Sequence, residues 1–315
     1  MKPEIDIIIV NWNSGTQLFA SVSSIAQHGA GLVCKTIVVD NGSVDGSDAS
    51  VDDLAAVTLI RADRNLGFGR ACNLGAQKSQ SEYMLFLNPD AALYAETLPR
   101  VLEYMEDPAR AKVGICGVQL IDDFGHIARS CARFPSSIGF VAHAIGLDRF
   151  FPRLGHFMTE WDHSKTRQVD HVIGAFFLVR REVFHSLNGF DEQFFVYLED
   201  LDFSTRARQA GWLSAYLADA QAFHAGGGTS NQIKAKRLFY SLRSRLLFSL
   251  KHFSRVGAIS VIFVTVIVEP FTRSLQAVLK FSKSKLKETW LAYAMLFSWL
   301  AKKILKCIST KFKFV

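Results

Sequence analysis

Three carboxylates stand close together at the end of a strongly aromatic stretch. The run 189–203 reads GFDEQFFVYLEDLDF and carries Glu199, Asp200 and Asp202 near its end. Carboxylates avoid apolar surroundings unless they are paired, hydrogen-bonded or used in chemistry. The acids could simply cap a helix, with Asp202 as the N-cap of a helix over 203–210. Alternatively, Glu199 or Asp200, in the loop before that helix, takes a proton from a substrate hydroxyl.

A second acidic signal follows the apolar run 83–87, which continues into Asn88 and Asp90. A carboxylate directly after a buried strand can bind Mg²⁺ or Mn²⁺, because these cations prefer oxygen ligands. The alternative is a simple turn aspartate. His224 opens the glycine-rich segment 224–230 and is predicted to ligate the metal or to contact phosphates, with a structural histidine as the alternative. The other eight histidines carry no readable signal.

The elements that must position these residues alternate between strands and helices. Near-continuous apolar runs fit strands that are covered on both faces, so a mostly parallel sheet is predicted. The predicted strands are 5–10, 36–40, 57–61, 83–87, 113–118 and one that begins near 176. The predicted helices are 17–27, 47–54, 69–78, 95–104 and 203–210. This pattern predicts an α/β, Rossmann-like body with ligands beyond the carboxyl ends of the strands.

Polar residues and glycine collect at those strand ends. They are Asn11, Asn13, Asp40, Asn65, Gly67 and, on the next helix, Asn73. Asp40 ends a buried strand, where it could accept a hydrogen bond from the ring N–H of uracil or thymine, or merely form a turn. Asn65 and Asn73 could contact the base or ribose, or act as cap and turn residues. Position 72 is Cys, so the GxGxxG fingerprint of a dehydrogenase is absent.

A turn of small residues precedes the strand that begins near residue 176. Its members are Gly174 and Ala175. Without large side chains, such a turn would let a sugar or an acceptor come close to the backbone. A purely packing role explains the same two residues equally well.

Length and composition allow one large core with or without an appendage, since 315 residues are 49% hydrophobic. The five cysteines are scattered without a CxxC pair, which is typical of reduced thiols in a cytosolic protein. The N-terminus leads directly into a strand pattern, so no signal peptide is expected.

The charge is distributed unevenly along the chain. Residues 234–315 contain 17 Lys and Arg against two acids, a balance of +15, whereas residues 1–233 carry 19 basic and 27 acidic side chains, a balance of −8. This asymmetry argues against a nucleic-acid binder and predicts an acidic body with a basic, aromatic-rich helical tail. The tail is predicted to bind a membrane surface. Alternatively, its helices pack on the body or on a second copy in a homodimer.

Within the tail, residues 256–268 form an apolar stretch of 13 residues that ends at Glu269 and Pro270. A stretch of this length is too short to span a bilayer, although a shallow re-entrant insertion stays open. A later stretch, 290–305, repeats an apolar stripe edged by lysines. Both stretches favour attachment at the membrane surface rather than a transmembrane helix.

Taken together, these motifs resemble the family 2 inverting glycosyltransferases of the GT-A fold, in particular the bacterial rhamnosyltransferase-like branch. The resemblance covers residues 5 to about 230 in order and spacing. It is carried by the stretches 9–13 (IVNWN), 38–47 (VVDNGSVDGS), 65–73 (NLGFGRACN), 87–91 (LNPDA), 174–177 (GAFF) and 189–203.

The resemblance implies a role for each predicted site residue. Asp40 and Asn65 would belong to the base and ribose pocket with Asn11 and Asn13 on its wall, and Asp200 would be the general base beside Glu199. Asp90 would be the last acid of the DxD-type metal motif, with His224 near the metal. The predicted nucleotide-sugar site is completed by Gly67, Asn73, Asn88, Gly174 and Ala175. Position 88 departs from the motif, because it is Asn rather than Asp.

The family implies a GT-A catalytic domain over 1–233. The region 234–315 lies outside the matching motifs, and its basic, aromatic-rich composition predicts a membrane-associating region. The expected reaction uses dTDP-L-rhamnose, Mg²⁺ or Mn²⁺, and a polyprenyl-diphosphate-linked or other glycan acceptor. The enzyme would be cytoplasmic and attached to the inner face of the plasma membrane. The alternatives are a UDP-linked donor, a non-catalytic sugar-nucleotide-binding homologue and, less favoured, a nucleotidyltransferase.

Overall fold

The computed structural model describes residues 5–226 and 234–311, with side chains up to residue 305. The chain divides into two compact units. The first unit comprises Met1–Phe134 and His156–Thr229, and the second comprises Pro135–Gly155 and Ser230–Val315. A short segment from the middle of the chain therefore belongs with the C-terminal helices.

The strands, all in the first unit, are numbered in chain order. They are β1 (Ile5–Asn11), β2 (Val33–Asp40), β3 (Val57–Arg61), β4 (Tyr83–Leu87), β5 (Ala91–Leu93), β6 (Val113–Ile121), β7 (Ile127–Ala128), β8 (Cys131–Ala132), β9 (Arg167–Val169), β10 (His171–Val172), β11 (Phe176–Arg180) and β12 (Leu213–His224).

The helices follow the same order. They are α1 (Gln17–His28), α2 (Phe68–Ala76), α3 (Thr97–Glu106), α4 (Ser137–Ile145), α5 (Arg181–Ser186), α6 (Glu199–Gln209), α7 (Lys234–His252), α8 (Arg255–Phe263), α9 (Glu269–Leu279) and α10 (Lys283–Lys311). The predicted helix over 47–54 is only a 3₁₀ turn, Ser47–Val51.

Ten of the described strands form one mixed sheet with the order β3-β2-β1-β4-β11-β6-β12-β5, in which β7 also pairs with β6 and β9 with β12. Strands β8 and β10 form a separate two-stranded sheet. The first four strands of this order are parallel to one another, as predicted. Strand β11 is antiparallel to both β4 and β6, whereas β12 is parallel to β6. The carboxyl ends of β1 to β4 therefore meet at one edge of the sheet.

Helices cover both faces of the sheet, so the central strands are apolar throughout. Every residue of β1 and β4 is buried. Leu18 of α1 and Leu98 of α3 belong to the core on one face, whereas Ala71 of α2 and Phe203 of α6 belong to the core on the other. Burial on two faces explains the continuous apolar runs in the sequence.

The second unit consists of α4 and α7 to α10. Its core contains Leu242, Leu246, Tyr293 and Leu296. A buried carboxylate, Glu269, accepts hydrogen bonds from two arginines, Arg245 at 2.5 Å and Arg273 at 2.8 Å. Buried charge is tolerated here because it is paired on both sides.

The predicted helix break at Glu269 and Pro270 is wrong. A π turn, Val264–Val268, joins α8 directly to α9, with Pro270 in the first turn of α9. Proline in a continuous helix clashes with the carbonyl four residues earlier, and the wider π turn just before it accommodates the ring. The resulting helix, Arg255–Leu279, has 25 residues and is long and apolar enough to cross a membrane by length and composition, although core helices of soluble proteins meet the same criteria.

Candidate active site

A buried polar cluster lies at the carboxyl edge of β1 and β2. Asn11 and Asp40 are register partners in this parallel pair. The Asn11 amide donates to Asp40 Oδ1 at 2.8 Å and to Ser47 Oγ at 2.8 Å. The Ser43 backbone N–H donates to Asp40 Oδ2 at 3.1 Å. Both carboxylate oxygens of Asp40 thus have a fixed donor, which orients the side chain at the strand end.

Asn13 connects the loops after the same two strands. Its φ of 52° lies in the left-handed region, which asparagine tolerates. Its Oδ1 accepts from the Val44 backbone N–H at 2.8 Å, and its own N–H donates to Ser43 Oγ at 3.0 Å. Two serines that the sequence did not single out as site residues, Ser43 and Ser47, therefore hold the two loops together.

The loop after β3 joins the same network through two asparagine side chains. Asn65 Oδ1 accepts from Gly67 N at 2.9 Å and from the Asn41 amide at 3.2 Å. Asn41 Oδ1 accepts from Leu66 N at 2.7 Å. Asn41, a buried residue not predicted as a site residue, thus links Asn65 to the strand that ends in Asp40.

Gly67 is required by both its conformation and its surroundings. Its φ is +90°, and a Cβ at this position would overlap the carbonyl oxygen of Phe195. The next residue, Phe68, donates its N–H to that same carbonyl at 2.6 Å. The start of α2 is thereby fixed against the aromatic segment that precedes α6.

The structure places Asn73 apart from this polar network. Its side chain donates to Phe190 O at 2.9 Å and accepts from Phe190 N at 2.9 Å, so both ends of the amide are engaged. This pattern ties α2 to the aromatic segment before α6. Asn73 therefore acts in positioning that segment.

Asp90 and His224 are brought together by the pairing of β5 with β12. Ala91 is the register partner of His224, and Asp90 O accepts from Ala225 N at 3.1 Å. Their side chains are nearly buried, with His224 Nε2 lying 3.4 Å from Asp90 Oδ1. Residues 227–230 of the predicted glycine-rich loop lie outside the described residues.

Asp90 and His224 could both contact one divalent ion, because a carboxylate oxygen and an imidazole nitrogen face each other at this distance. A mixed oxygen and nitrogen pair suits Mn²⁺ better than Mg²⁺, which prefers oxygen ligands alone. Among the described residues, no three His, Cys, Asp or Glu side chains lie close enough together to hold a metal ion by themselves. Remaining ligands would have to come from substrate phosphates or water.

The acidic pair Glu199–Asp200 lies on a helix, not in a loop as predicted. Helix α6 begins at Glu199, and Leu198 precedes it with a left-handed φ of 65°. The expected N-cap role of Asp202 is also wrong, since Asp202 is fully buried inside the helix. Its Oδ2 accepts from Arg206 Nε at 2.8 Å, an i,i+4 ion pair. The abrupt turn at Leu198 starts the helix four residues earlier than predicted.

Asp200 is surrounded by donors. The Gly174 N–H donates to its Oδ2 and the Leu201 N–H to its Oδ1, both at 2.8 Å. His171 Nε2 lies 3.5 Å from Oδ2. Burial alone would raise the pKa of Asp200, but the charge and hydrogen bonding of His171 and the two backbone donors lower it below its ordinary value.

Small residues make this approach to Asp200 feasible. A Cβ on Gly174 would lie 3.2 Å from Asp200 Oδ2, closer than side chains normally pack. Ala175 is a buried core residue whose carbonyl accepts from Asn88 N at 3.0 Å. The turn over Gly174 and Ala175 therefore connects the loop before Asp90 with the acidic pair.

Glu199 has the opposite environment. Burial and the neighbouring Asp200 charge raise its pKa well above the ordinary value. Its Oε2 is buried and has no hydrogen-bond partner among the described residues. Burial and this missing partner at Oε2 both favour the neutral form of Glu199, so the pKa values of the two neighbouring acids are shifted in opposite directions.

His171 is a buried site residue that the sequence did not reveal. It lies on β10, which pairs with β8 outside the main sheet. Its Nδ1 is 2.9 Å from Ser204 Oγ on α6. Because its partners are distant in the sequence and it lacks a recognisable motif, only the tertiary fold shows its place beside Asp200.

Comparison with known families identifies the class of protein to which this fold belongs. Residues 6–187 match the model of glycosyl transferase family 2. The chain belongs to this family and is a glycosyltransferase, which confirms the predicted family and enzyme class.

Individual relatives place the chain more closely. It is 28% identical over 263 residues to the N-acetylglucosaminyl-diphospho-decaprenol L-rhamnosyltransferase of Mycobacterium tuberculosis, covering 79% of this chain and 84% of the relative. It is 26% identical to the rhamnosyltransferase WbbL of Escherichia coli, covering 61% of this chain and 76% of the relative.

Solved structures confirm the predicted GT-A fold class. The mannosyltransferase PcManGT from Pyrobaculum calidifontis, solved in complex with GDP-Man and Mn²⁺, superposes with a TM-score of 0.57 at 15% identity. The match covers 94% of this chain and 88% of that chain.

Proposed function

We propose that the protein transfers L-rhamnose from dTDP-L-rhamnose to a hydroxyl of a lipid-linked glycan, with inversion at the anomeric carbon. The observation that carries the proposal is the Asp200 carboxylate, which accepts from the Gly174 and Leu201 N–H groups at 2.8 Å and keeps 17% of its side chain exposed. These donors and His171 lower the pKa of Asp200 below its ordinary value. A base must be unprotonated before it can accept a proton. The donor and acceptor follow from the relatives, whose names specify rhamnose transfer and, in one case, a diphospho-decaprenol acceptor.

In the proposed reaction, the acceptor oxygen forms a bond to the anomeric carbon as the bond from that carbon to the diphosphate oxygen breaks. The electron pair of the broken bond leaves with the nucleoside diphosphate, and the acceptor proton passes to Asp200. The Asp200 side chain is 17% exposed, so an acceptor hydroxyl can reach it. The Asn11–Asp40 cluster and Asn65 would orient the base and ribose of the donor.

Asp90 and His224 would hold the divalent ion, which when bound offsets the charge that develops on the departing diphosphate. Their side chains face each other within reach of one ion. The pyrophosphate of the donor would complete the ligand set, since position 88 supplies an amide rather than a second carboxylate.

The Asp200→Asn variant tests the general base. We expect it to bind dTDP-L-rhamnose like the wild type but to transfer roughly 10²- to 10⁴-fold more slowly, because the amide cannot accept the proton. Binding is measured by thermal shift with dTDP-, UDP- and GDP-sugars, and transfer by release of the nucleoside diphosphate. Wild-type transfer by this variant would refute the base assignment.

The donor screen separates the alternatives. Stabilisation of the wild type by UDP-sugars but not by dTDP-L-rhamnose would retain the glycosyltransferase and exclude rhamnose as the sugar. Donor binding without any transfer to lipid-linked acceptors would favour the non-catalytic homologue.

We also propose that the second unit attaches the enzyme to the cytoplasmic leaflet of the plasma membrane. On one face of the helix Arg255–Leu279, polar Thr265 and Glu269 are buried together with Val261, whereas a row of large apolar side chains on another face is exposed. The exposed side chains are Val256, Ile259, Phe263, Ile267, Phe271, Leu275 and Val278. We call this row the apolar face of α8–α9.

The buried ion pairs favour a helix that lies along the membrane surface over one that crosses it. Glu269 sits within the helix and pairs with Arg245 of α7. If this helix crossed the bilayer alone, Glu269 would enter the hydrocarbon interior without Arg245, and an unpaired charge there is costly. Packed on α7, the helix keeps this pair and presents only its apolar face.

Basic residues near this helix supply a counterpart for anionic lipid. A cavity of about 320 Å³ in the second unit is lined by Arg149, Lys234, Arg273, Lys280 and Lys285, with Glu288 as the one acid among its lining residues. Anionic phosphates of lipid headgroups, or the diphosphate of a polyprenyl-linked acceptor, are attracted to such a cluster.

A further inference from the structure

His171, on strand β10, contacts Asp200, which lies on helix α6. The imidazole is 3% exposed and lies between two side chains of α6, with Nδ1 at 2.9 Å from Ser204 Oγ and Nε2 at 3.5 Å from Asp200 Oδ2. Ser204 is itself buried, so bulk water cannot replace His171 as the hydrogen-bond partner of its hydroxyl. The ring is thereby held with one nitrogen directed at each partner.

The contact with Asp200 selects the tautomer of the His171 ring. An ionised carboxylate oxygen accepts but cannot donate, so Asp200 Oδ2 favours the proton on Nε2, and the Ser204 hydroxyl then donates to Nδ1. Hydrogen bonding on one ring nitrogen commonly fixes the role of the other. Whether neutral or protonated, the ring then presents an N–H to Asp200 Oδ2.

Asp200 needs such a donor because its other surroundings have opposing effects on the stability of the ionised carboxylate. The Gly174 and Leu201 N–H groups stabilise the carboxylate, whereas burial opposes a negative charge here. The titratable groups that act on the Glu199–Asp200 pair are His171 on β10, the buried thiol of Cys72 on α2, and Asp202 on α6, which is itself paired with Arg206. Because Arg206 is engaged by Asp202, His171 is the group that can place positive charge beside Asp200.

We propose that His171 is a positioning residue that holds Asp200 in its ionised form and in the orientation needed to accept the acceptor proton. The proposal rests on the proposed function, in which Asp200 is the general base. His171 does not touch substrate in this role and takes up no proton from it. Its effect is confined to the ionisation and orientation of Asp200.

Two isosteric substitutions separate the two contacts of the ring. In His171→Asn, the amide lies where Nδ1 was and keeps the bond to Ser204, but the donor to Asp200 is lost. In His171→Gln, the longer side chain places an amide near the position of Nε2 and keeps a donor to Asp200. Both variants are measured as the full chain with dTDP-L-rhamnose and a lipid-linked acceptor between pH 4.5 and 8.

We expect His171→Asn to move the acidic limb of the kcat/KM profile to higher pH by about one unit, because the loss of a donor to a carboxylate raises the pKa of that carboxylate by this order. This shift corresponds to a roughly tenfold lower rate on the acidic limb. Donor binding by thermal shift should stay unchanged. His171→Gln should lie closer to the wild-type profile, and His185→Asn, at an exposed histidine of α5, should match the wild type.

An unmoved profile in His171→Asn, or a larger shift in His171→Gln than in His171→Asn, would overturn the proposal. The Asp200→Asn variant distinguishes this failure from failure of the proposed function. If Asp200→Asn is inactive while His171→Asn keeps the wild-type profile, only the role of His171 is wrong. If Asp200→Asn is fully active, the assignment of the base itself is wrong.

Discussion

At the scale of single residues, the pKa values of two adjacent acids on one helix are shifted in opposite directions. Asp200 accepts from two backbone N–H groups and faces His171, whereas Glu199 Oε2 is buried and has no partner among the described residues. Both side chains lie on the same turn of α6, so their position on the helix does not explain the difference. The direction of each pKa shift follows from the hydrogen-bond donors and the burial of each carboxyl group.

This asymmetry predicts an unusual pH dependence for Glu199. The folded chain keeps Glu199 protonated at pH values where an unfolded glutamate is ionised, so folding takes up a proton. The free energy of unfolding should therefore fall as pH rises from the ordinary glutamate pKa towards the raised one. The glutamine in Glu199→Gln is always neutral, so the variant should lack this pH-dependent loss of stability. Its free energy of unfolding should therefore rise relative to that of the wild type by up to about 1.4 kcal/mol per pH unit.

Urea unfolding at pH 5 and pH 8 measures this difference. Glu103→Gln, at an exposed glutamate of α3, is the control and should parallel the wild type. If Glu199→Gln also runs parallel to the wild type between the two pH values, Glu199 is ionised in the folded protein.

Residue type alone does not separate substrate contacts from architecture. Asn11 and Asn73 both looked like site residues in the sequence. Asn11 lies in the polar cluster with Asp40, whereas Asn73 holds the backbone of Phe190. The difference follows from where each side chain points in the fold.

At the scale of elements, the aromatic segment before α6 is fixed by a close contact with the start of α2. Gly67→Ala should lower the free energy of unfolding by more than about 2 kcal/mol, because the new Cβ is strained at φ +90° and also overlaps Phe195 O. Gly211→Ala is a matched control, since it has the same φ of +90° but no atom within 4 Å of the added Cβ.

Gly211→Ala should cost only the conformational strain, about 1 to 2 kcal/mol. Both variants are compared by urea unfolding at one pH. Equal losses in the two variants would show that the contact with Phe195 does not contribute to stability.

Strand pairing, and not sequence proximity, creates the candidate metal site. Asp90 and His224 lie far apart in the chain, but the β5–β12 register sets them side by side. We expect Asp90→Ala to abolish the increase in donor affinity caused by Mn²⁺, and His224→Ala to reduce it, since each removes one protein ligand. Calorimetric titration of the donor with and without Mn²⁺ measures both effects.

Glu103→Ala serves as the control for loss of a carboxylate remote from this strand pair. Unchanged metal stimulation in Asp90→Ala would place the ion elsewhere. In that case the contact between Asp90 and His224 would be structural only.

At the scale of the whole molecule, the second unit exposes the apolar face of α8–α9, whereas a surface helix of a soluble protein normally turns its polar face to solvent. The Phe263→Ser/Phe271→Ser double variant should reduce binding to vesicles that contain phosphatidylglycerol by at least roughly tenfold, because each buried phenylalanine contributes about 1.5 to 3 kcal/mol. Co-sedimentation of the full chain at low and high salt measures the apolar and electrostatic contributions separately.

Phe124→Ser provides the control, because Phe124 is 83% exposed in the turn between β6 and β7 of the first unit. Unchanged vesicle binding by the double variant, together with loss of a dimer in analytical ultracentrifugation, would assign the apolar face of α8–α9 to a second copy instead.

Much of the first unit could be predicted because its signals are local. The apolar runs of β1, β2 and β4 and the polar residues after them determine a parallel sheet with a site at one edge. The helix over 203–210 was placed four residues late, since a left-handed leucine at position 198 has no sequence signature. The break at Pro270 was also wrong, because a π turn can accommodate proline within a continuous helix.

By itself, the sequence determined the family, the alternation of strands and helices, and the acids that could do chemistry, since apolar periodicity and motif spacing are properties of neighbouring residues. Only the tertiary structure decided in which direction the pKa of each acid is shifted, which histidines lie beside the acids and which helix face stays exposed. These properties depend on burial and on partners such as His171 and Asp200, which chain folding brings together from distant positions. Ionisation responds to the local dielectric and donors, and neither exists until the chain has folded.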